Sequence, residues 1–316
     1  MKTLIKILKI VFISIILISA FVALIFGHSS IPLDELKAEY ANEESEFMSI
    51  DGANVHYRDV GNPGDSLPII LIHGTGASLH TFNDWTKELK TNHRVIRMDL
   101  PGYGLTGPFE NRDYSIHHYV NFLNTFLDSL SIDQCVMGGN SLGGHIAWRF
   151  TLKHPEKVNK LILIDASGYP FKSKSSPIAF KMAKVPVVKN AFTYITPRFV
   201  VESSVENVYA DDSKVTEEVV DRYFELTLRK GNRQAFVDRF STSNNLKAYK
   251  KLNTIKTETL ILWGEQDDLI PVEIAYQFHE ALPNDTLVIL PNAGHIPMEE
   301  IPEKSLDVVF DFLNDK

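Results

Sequence analysis

The sequence predicts an α/β fold: a mostly parallel, eight-stranded sheet flanked by helices, with an inserted helical cap and an N-terminal transmembrane helix. Three observations carry this prediction. Short strand-like runs recur along the chain, most of them near-continuously apolar, which is how strands buried on both faces of a parallel sheet read. Helical patterns separate them, and strand-helix-strand alternation implies right-handed crossovers with helices on both faces. From about Gly168 to Asn253 no run of the buried kind occurs, and that interval is too long for an ordinary connection.

Taken in order, the first element is the N-terminal helix. "MKTLIKILKI" carries Lys2, Lys6 and Lys9, and "VFISIILISAFVALIF" continues uncharged to Phe26. A bilayer span needs roughly 17 to 25 apolar residues, whereas a cleaved signal peptide has a core of about 7 to 15 and an A-x-A-like site. No clear A-x-A precedes His28, so residues 1–27 read as an uncleaved single-pass anchor, with secretion after cleavage as the alternative. Lysines before the run and the acidic "LDELKAEYANEESE" after it put the N-terminus in the cytoplasm and the main domain outside. Residues 28–45 are the linker.

The core opens at residue 46 with "EFMSI" and "NVHYRDV", joined by Asp51 and Gly52, a dipeptide suited to a tight hairpin. "PIILIHG", "RVIRMDLPG", "QCVMGGNS" and "KLILIDAS" supply the next strands, and the first part of the core ends at residue 167. In "SIHHYVNFLNTFLDSL", Ile116, Val120, Leu123, Leu127 and Leu130 recur at helical spacing. The cap occupies residues 168–253, with helical stretches such as "SPIAFKMAKVPVVKNAF" and "TEEVVDRYFELTLRKGNRQAFVDRF". Residues 254–316 complete the core through "TLILWGEQD" and "DTLVILPNAGH".

Composition excludes several functions. A net charge of -8 without a basic cluster argues against nucleic acid as a partner, because phosphate contacts need clustered Lys and Arg. The single cysteine, Cys135, allows neither an internal disulfide nor a cysteine-rich zinc site, and its apolar surroundings mark it as a buried structural thiol. The paired His117 and His118 lack matching metal-ligand spacing and are explained by a helix start. No G-x-G-x-x-G follows the first strand, so a dinucleotide fingerprint is absent. No cofactor or metal is expected.

The chemistry centres on "GGNSLGG". Gly139-Asn140-Ser141-Leu142-Gly143 is a G-x-S-x-G match lying between a strand and the helix "HIAWRFTLKH", the context a nucleophile elbow requires. A glycine-rich turn that merely closes strand against helix is the bland alternative. A serine hydroxyl needs a general base, and the base needs an acid to fix its tautomer. Asp267 in "GEQDDLIP" and His295 in "NAGH" each follow a strand, at the sheet edge where α/β folds gather their sites. Asp165 in "LILIDAS" is the competing acid, and Asp268 reads as a solvated turn residue. Glycines in "IHGTGAS" free backbone N–H groups for a developing oxyanion, so the oxyanion hole is assigned to the N–H groups of Thr75 and Leu142. His73 reads as a brace for that loop, and Asp99 as loop architecture.

"HGTG", "MDLPGYGLT", "GGNSLGG", "WGEQDDLIP" and "AGHIPMEEIPE" together resemble the α/β-hydrolase fold superfamily, from about Glu46 to the C-terminus. "GNSLGG" and the Ser141, Asp267, His295 order are similar to those of membrane-anchored monoacylglycerol lipases and of meta-cleavage-product hydrolases, which split carbon-carbon bonds. The second group usually has Trp after the catalytic His and an Arg in the cap; here Ile296 follows His295, while Arg222 is the candidate cap arginine at the substrate. Branches with an Asp nucleophile, haloalkane dehalogenases and epoxide hydrolases, are disfavoured by Ser141. The resemblance implies a serine hydrolase of carboxylic esters acting through an acyl-enzyme, and the apolar, lysine-bearing cap together with the anchor points to lipophilic esters, monoacylglycerols among them. Carbon-carbon bond hydrolysis is the second reading and a non-catalytic ligand receptor the third.

Overall fold

The computed structural model describes residues 2–242 and 246–314. Its strands, in chain order, are β1 (Ser45–Ile50), β2 (Ala53–Gly61), β3 (Ile69–Ile72), β4 (Arg94–Met98), β5 (Cys135–Asn140), β6 (Val158–Ile164), β7 (Glu258–Gly264) and β8 (Asp285–Leu290). They form one sheet in the order β1-β2-β4-β3-β5-β6-β7-β8. β2 runs antiparallel to both β1 and β4, and every other neighbouring pair is parallel. Asp51 and Gly52 close the β1-β2 hairpin with φ of 49° and 77°, the left-handed pair that suits a two-residue turn between twisted strands.

The continuous apolar runs are explained by two cores. In β3, Ile70 and Ile72 join the cluster on one face of the sheet while Ile69 and Leu71 join the cluster on the other. β7 divides the same way, Ile261 and Trp263 against Leu260 and Leu262. An alternating strand would leave one of these faces polar, so each central strand must be apolar throughout.

Helices cover both faces. Ahead of the sheet lie α1 (Lys2–Phe26) and α2 (Leu33–Tyr40); α3 (Asn83–Leu89), α4 (Ile116–Ser129) and α5 (Leu142–Lys153) lie between strands of the core. Between β6 and β7 come α6 (Ile178–Lys184), α7 (Pro186–Phe192), α8 (Arg198–Glu206), α9 (Glu217–Leu228) and α10 (Asn232–Ser241). After β7 come α11 (Glu273–Ala281), α12 (Pro297–Glu300) and α13 (Pro302–Asn314). α4, α5 and α11 pack Phe122, Trp148 and Phe278 on one face, while α3 and α13 pack Trp85 and Phe312 on the other. Ser115 caps α4 by accepting from the His118 N–H, so the histidine pair does mark a helix start.

Among the described residues the expected transmembrane span finds no support, and the expected linker differs from expectation. Several side chains of the expected transmembrane span lie outside the described residues, and among those described no helix is long and apolar enough to cross a membrane. What is described is a 25-residue helix with Leu4, Leu8, Phe12, Leu17, Phe21 and Leu24 exposed. The expected linker is partly a helix: Leu36 of α2 is buried against Leu105 and Leu226, and the Tyr40 hydroxyl donates to Glu225 at 2.7 Å. An amphipathic turn with one buried leucine is too short for periodicity to reveal.

The "MDLPGYGLT" loop is built around Asp99, which is fully buried. Its carboxylate accepts from the N–H of Leu79 at 2.7 Å and of Leu105 at 2.8 Å, and pairs with His56 Nδ1 at 2.7 Å. Burial opposes its ionisation, but the charge and hydrogen bond of His56 hold the carboxyl below the usual range. His80 donates from Nε2 to the Tyr40 carbonyl and accepts at Nδ1 from Ser78, a neutral imidazole, and burial pushes its pKa down to about 3.

These groups set the acid stability. A histidine kept neutral in the fold binds its proton only on unfolding, so its contribution is complete above its ordinary pKa of 6.5 and is lost as pH falls toward its folded value. The slope is about 1.4 kcal/mol per pH unit for each such group. Urea unfolding of the wild type should therefore weaken steadily from pH 6.5 to pH 4, and a His80→Gln variant should show a shallower pH slope. Equal slopes in the two proteins would contradict this account.

Candidate active site

Ser141 sits between the end of β5 and the start of α5 with φ 54° and ψ -111°, a conformation a non-glycine residue holds at a cost of order 1–3 kcal/mol. Hydrogen bonds keep it there: its N–H donates to the Ile164 carbonyl, and its carbonyl accepts from the N–H groups of His145 and Ser167, each at 3.0 Å. The glycines are needed for space. A Cβ on Gly143 would lie 2.0 Å from the Ile72 carbonyl oxygen, and one on Gly139 would lie 2.4 Å from the Gly143 carbonyl carbon. The helix is thus pressed against the sheet at the point where the serine is presented.

Asp267 and His295 come together from the ends of β7 and β8. His295 Nδ1 lies 2.6 Å from Asp267 Oδ2, and both residues are buried. The other Asp267 oxygen accepts from the N–H groups of Leu269 and Ile270, each at 2.8 Å, which orients the carboxylate. Asn140 donates from its side-chain amide to the His295 carbonyl at 2.9 Å, tying the histidine loop to the residue before Ser141. With Nδ1 held by a carboxylate, His295 is left with Nε2 as its proton acceptor.

Ser141 and His295 line one cavity of about 730 Å³ of empty space, including its open mouth. Gly74, Thr75 and Gly76 border it from the core, and Phe180, Phe192, Val201, Val205 and Phe236 from the cap. A Cβ on Gly74 would lie 3.2 Å from the Ser141 Cβ, so the loop carrying Thr75 passes directly beside the serine. Leu142 opens α5, where a helix leaves its first N–H groups without intrahelical acceptors and its dipole favours negative charge. His73 braces this loop: Nε2 accepts from the Leu100 N–H at 2.9 Å, so Nδ1 carries the proton and donates to the Gly74 carbonyl at 2.7 Å. Burial lowers its pKa and keeps it neutral.

Arg222, expected at the substrate, is not brought into this set. It pairs with Glu299 and faces a different cleft, beside Glu35, Arg58 and Glu225, because α9 turns that side of the helix away from Ser141. Asp268 is exposed, and its carbonyl accepts from the N–H groups of Lys174 and Ser175. Asp165 is buried beside Asp267 rather than replacing it.

Sequence reasoning missed Asn140, Glu299 and Glu300. The buried Glu300 accepts from Gly294 N–H at 2.6 Å and from the N–H groups of Ala210 and Asp211 at 2.9 Å, joining the histidine loop to the cap. Glu299 accepts from the Thr81 and Tyr223 hydroxyls at 2.8 Å. Two adjacent acids after "HIPM" carry no periodic or spacing signal, and only their tertiary partners reveal the staple.

Comparison with known proteins gives the same fold. Residues 68–302 match the profile of the alpha/beta hydrolase fold family. The chain is similar to an uncharacterized hydrolase, YugF, of Bacillus subtilis, 28% identical over 84% of this chain and 96% of the relative. It is 26% identical to a 2-hydroxy-6-oxo-2,4-heptadienoate hydrolase of Pseudomonas putida, over 82% of this chain and 92% of that one. A solved meta-cleavage product hydrolase of Pseudomonas fluorescens superposes with a TM-score of 0.75 at 25% identity, covering 86% of this chain and 99% of the other. With the profile spanning most of its length and the sheet ordered as above, the chain belongs to the α/β-hydrolase fold family.

Proposed function

We propose that the protein is a serine hydrolase of neutral, lipophilic carboxylic esters. One observation carries the substrate class: among the described residues, the cavity shared by Ser141 and His295 is lined by no Lys, Arg, Asp or Glu. An acyl chain gains about 25 cal/mol per Å² of apolar surface buried there, whereas a carboxylate would be desolvated without a cation to pair with. Ser141 attacks the ester carbonyl while His295 takes the hydroxyl proton at Nε2. Asp267 holds the imidazole and stabilises the cation that forms. The N–H groups of Thr75 and Leu142 receive the oxyanion, each well-placed donor worth roughly 3 to 4 kcal/mol. His295 returns the proton to the leaving alcohol, and then activates the water that releases the acid.

Carbon-carbon bond hydrolysis is the second reading, supported by the dienoate hydrolases among the relatives. The uncharged cavity counts against it, because its acidic substrates need a cationic partner. A membrane site is part of the proposal: the uncharged run to Phe26 and the exposed apolar side chains along α1 support anchoring by that helix, with the catalytic domain outside the cytoplasm.

A fluorophosphonate probe should label the wild type and not a folded Ser141→Ala variant; equal labelling, or none in the wild type, defeats the hydrolase reading. His295→Ala should lower kcat on p-nitrophenyl butyrate by about 10⁴-fold or more. Medium-chain p-nitrophenyl esters should turn over far faster than a 2-hydroxy-6-oxo-dienoate, and the opposite ranking selects carbon-carbon cleavage. For the anchor, N-terminal sequencing of the membrane fraction should find residues 1–27 intact, and a soluble chain beginning near His28 refutes it.

A further inference from the structure

Asp165 is a buried acid for which the proposed mechanism has no use. It follows β6, is fully buried, and takes φ 44°, a left-handed conformation unusual for a residue with a side chain. Its Oδ1 accepts from the Gly264 N–H at 2.9 Å, at the end of β7 where the Asp267 loop begins. Its Oδ2 is buried and meets no donor. One polar atom each of Asp165, Asp267 and His295 lie within 4.8 Å of one another. Two carboxylates cannot both be ionised so close together out of water, and an oxygen facing another acceptor is satisfied only if it carries a proton.

We infer that Asp165 is a positioning residue: it holds a proton in the resting protein, donates it in a hydrogen bond to Asp267, and is a reserve partner for His295. The charged groups around it favour this state. Asp267 and Glu300 are both acidic, His295 is committed to Asp267, and burial followed by the Asp267 charge raises the Asp165 pKa well above its ordinary value. The pair thus carries one proton and one negative charge, and that single charge stabilises the imidazolium. When the Asp267 charge is removed, the repulsion that adds to burial in keeping Asp165 protonated is gone, and its pKa falls. As pH rises Asp165 then gives its proton to solvent, and its carboxylate takes over the stabilisation of His295.

The inference rests on the proposed hydrolase reading, so its test has one arm that needs no turnover. With ¹³C-carboxyl aspartate in the full-length protein, infrared spectra at pH 7 should show one protonated aspartate, lost in Asp165→Asn. Absence of that band overturns the inference even if the enzyme is active, and its presence in a protein that fluorophosphonate fails to label rejects the hydrolase reading alone. In the kinetic arm, Asp267→Asn should stay within about 100-fold of wild-type kcat on p-nitrophenyl butyrate above pH 8. Its acid limb should lie at higher pH than that of the wild type, because activity now waits on Asp165 ionising. Adding Asp165→Asn should cost a further 100-fold or more, out of the roughly 10⁴-fold that loss of the acid costs a triad. Asp267→Ala serves the same comparison if the asparagine variant does not fold. A single variant as inactive as the double at every pH sinks the proposal.

Discussion

The geometry of the site depends on one close approach, that of the first turn of α5 to the end of β3. The Gly143 position leaves 2.0 Å for a Cβ before the Ile72 carbonyl, so no other residue lets the helix start there. That contact fixes where Ser141 stands, and hydrogen bonds to the Ile164 carbonyl and from the His145 and Ser167 N–H groups hold its strained backbone. The loop carrying Thr75 is placed by the same neighbourhood, through Gly74 against Ser141 and through the His73 bridge to Leu100. Strain at one residue is thereby carried by several strands rather than relieved locally.

Burial alone does not decide the charge of a carboxyl group in this protein. Asp99 and Asp165 are equally inaccessible to water, yet their pKa values move in opposite directions. Asp99 pairs with His56 and accepts from two backbone N–H groups, so desolvation is overcome. Asp165 faces Asp267 and Glu300 with one backbone donor, so desolvation and repulsion add. The number of donors and the sign of the neighbours settle the matter.

Much of this was legible in the sequence, for reasons that differ by element. Central strands announced themselves because two-sided burial demands uninterrupted apolar runs, and β3 and β7 show that demand residue by residue. The elbow was legible because its glycines answer to local sterics, and the Asp267–His295 pairing because each follows a strand end. Side chains whose roles depend on distant partners were not legible. Arg222 looked like a substrate contact, whereas its partner is Glu299, and nothing in the sequence singled out Glu300. The short α2 was missed because a single buried leucine leaves no periodic signature. Asp165 was weighed as a rival to Asp267, since chain order says nothing about two loops converging.

The attachment of the cap has its own consequence. The His295 N–H donates to the Val208 carbonyl, and Glu300 binds Gly294 together with Ala210 and Asp211, so the cap and the loop of the candidate base share hydrogen bonds. A cap lifted as a rigid body would strip His295 of a main-chain partner and leave a buried glutamate short of two donors. Wide opening therefore costs the loop of the base hydrogen bonds that the seated cap supplies, leaving Asp267 and Asn140 to hold it. Traffic to Ser141 that leaves the cap seated passes the mouth of the existing cavity, where the cap side chains Phe180, Phe192 and Phe236 act as the first filter on what enters.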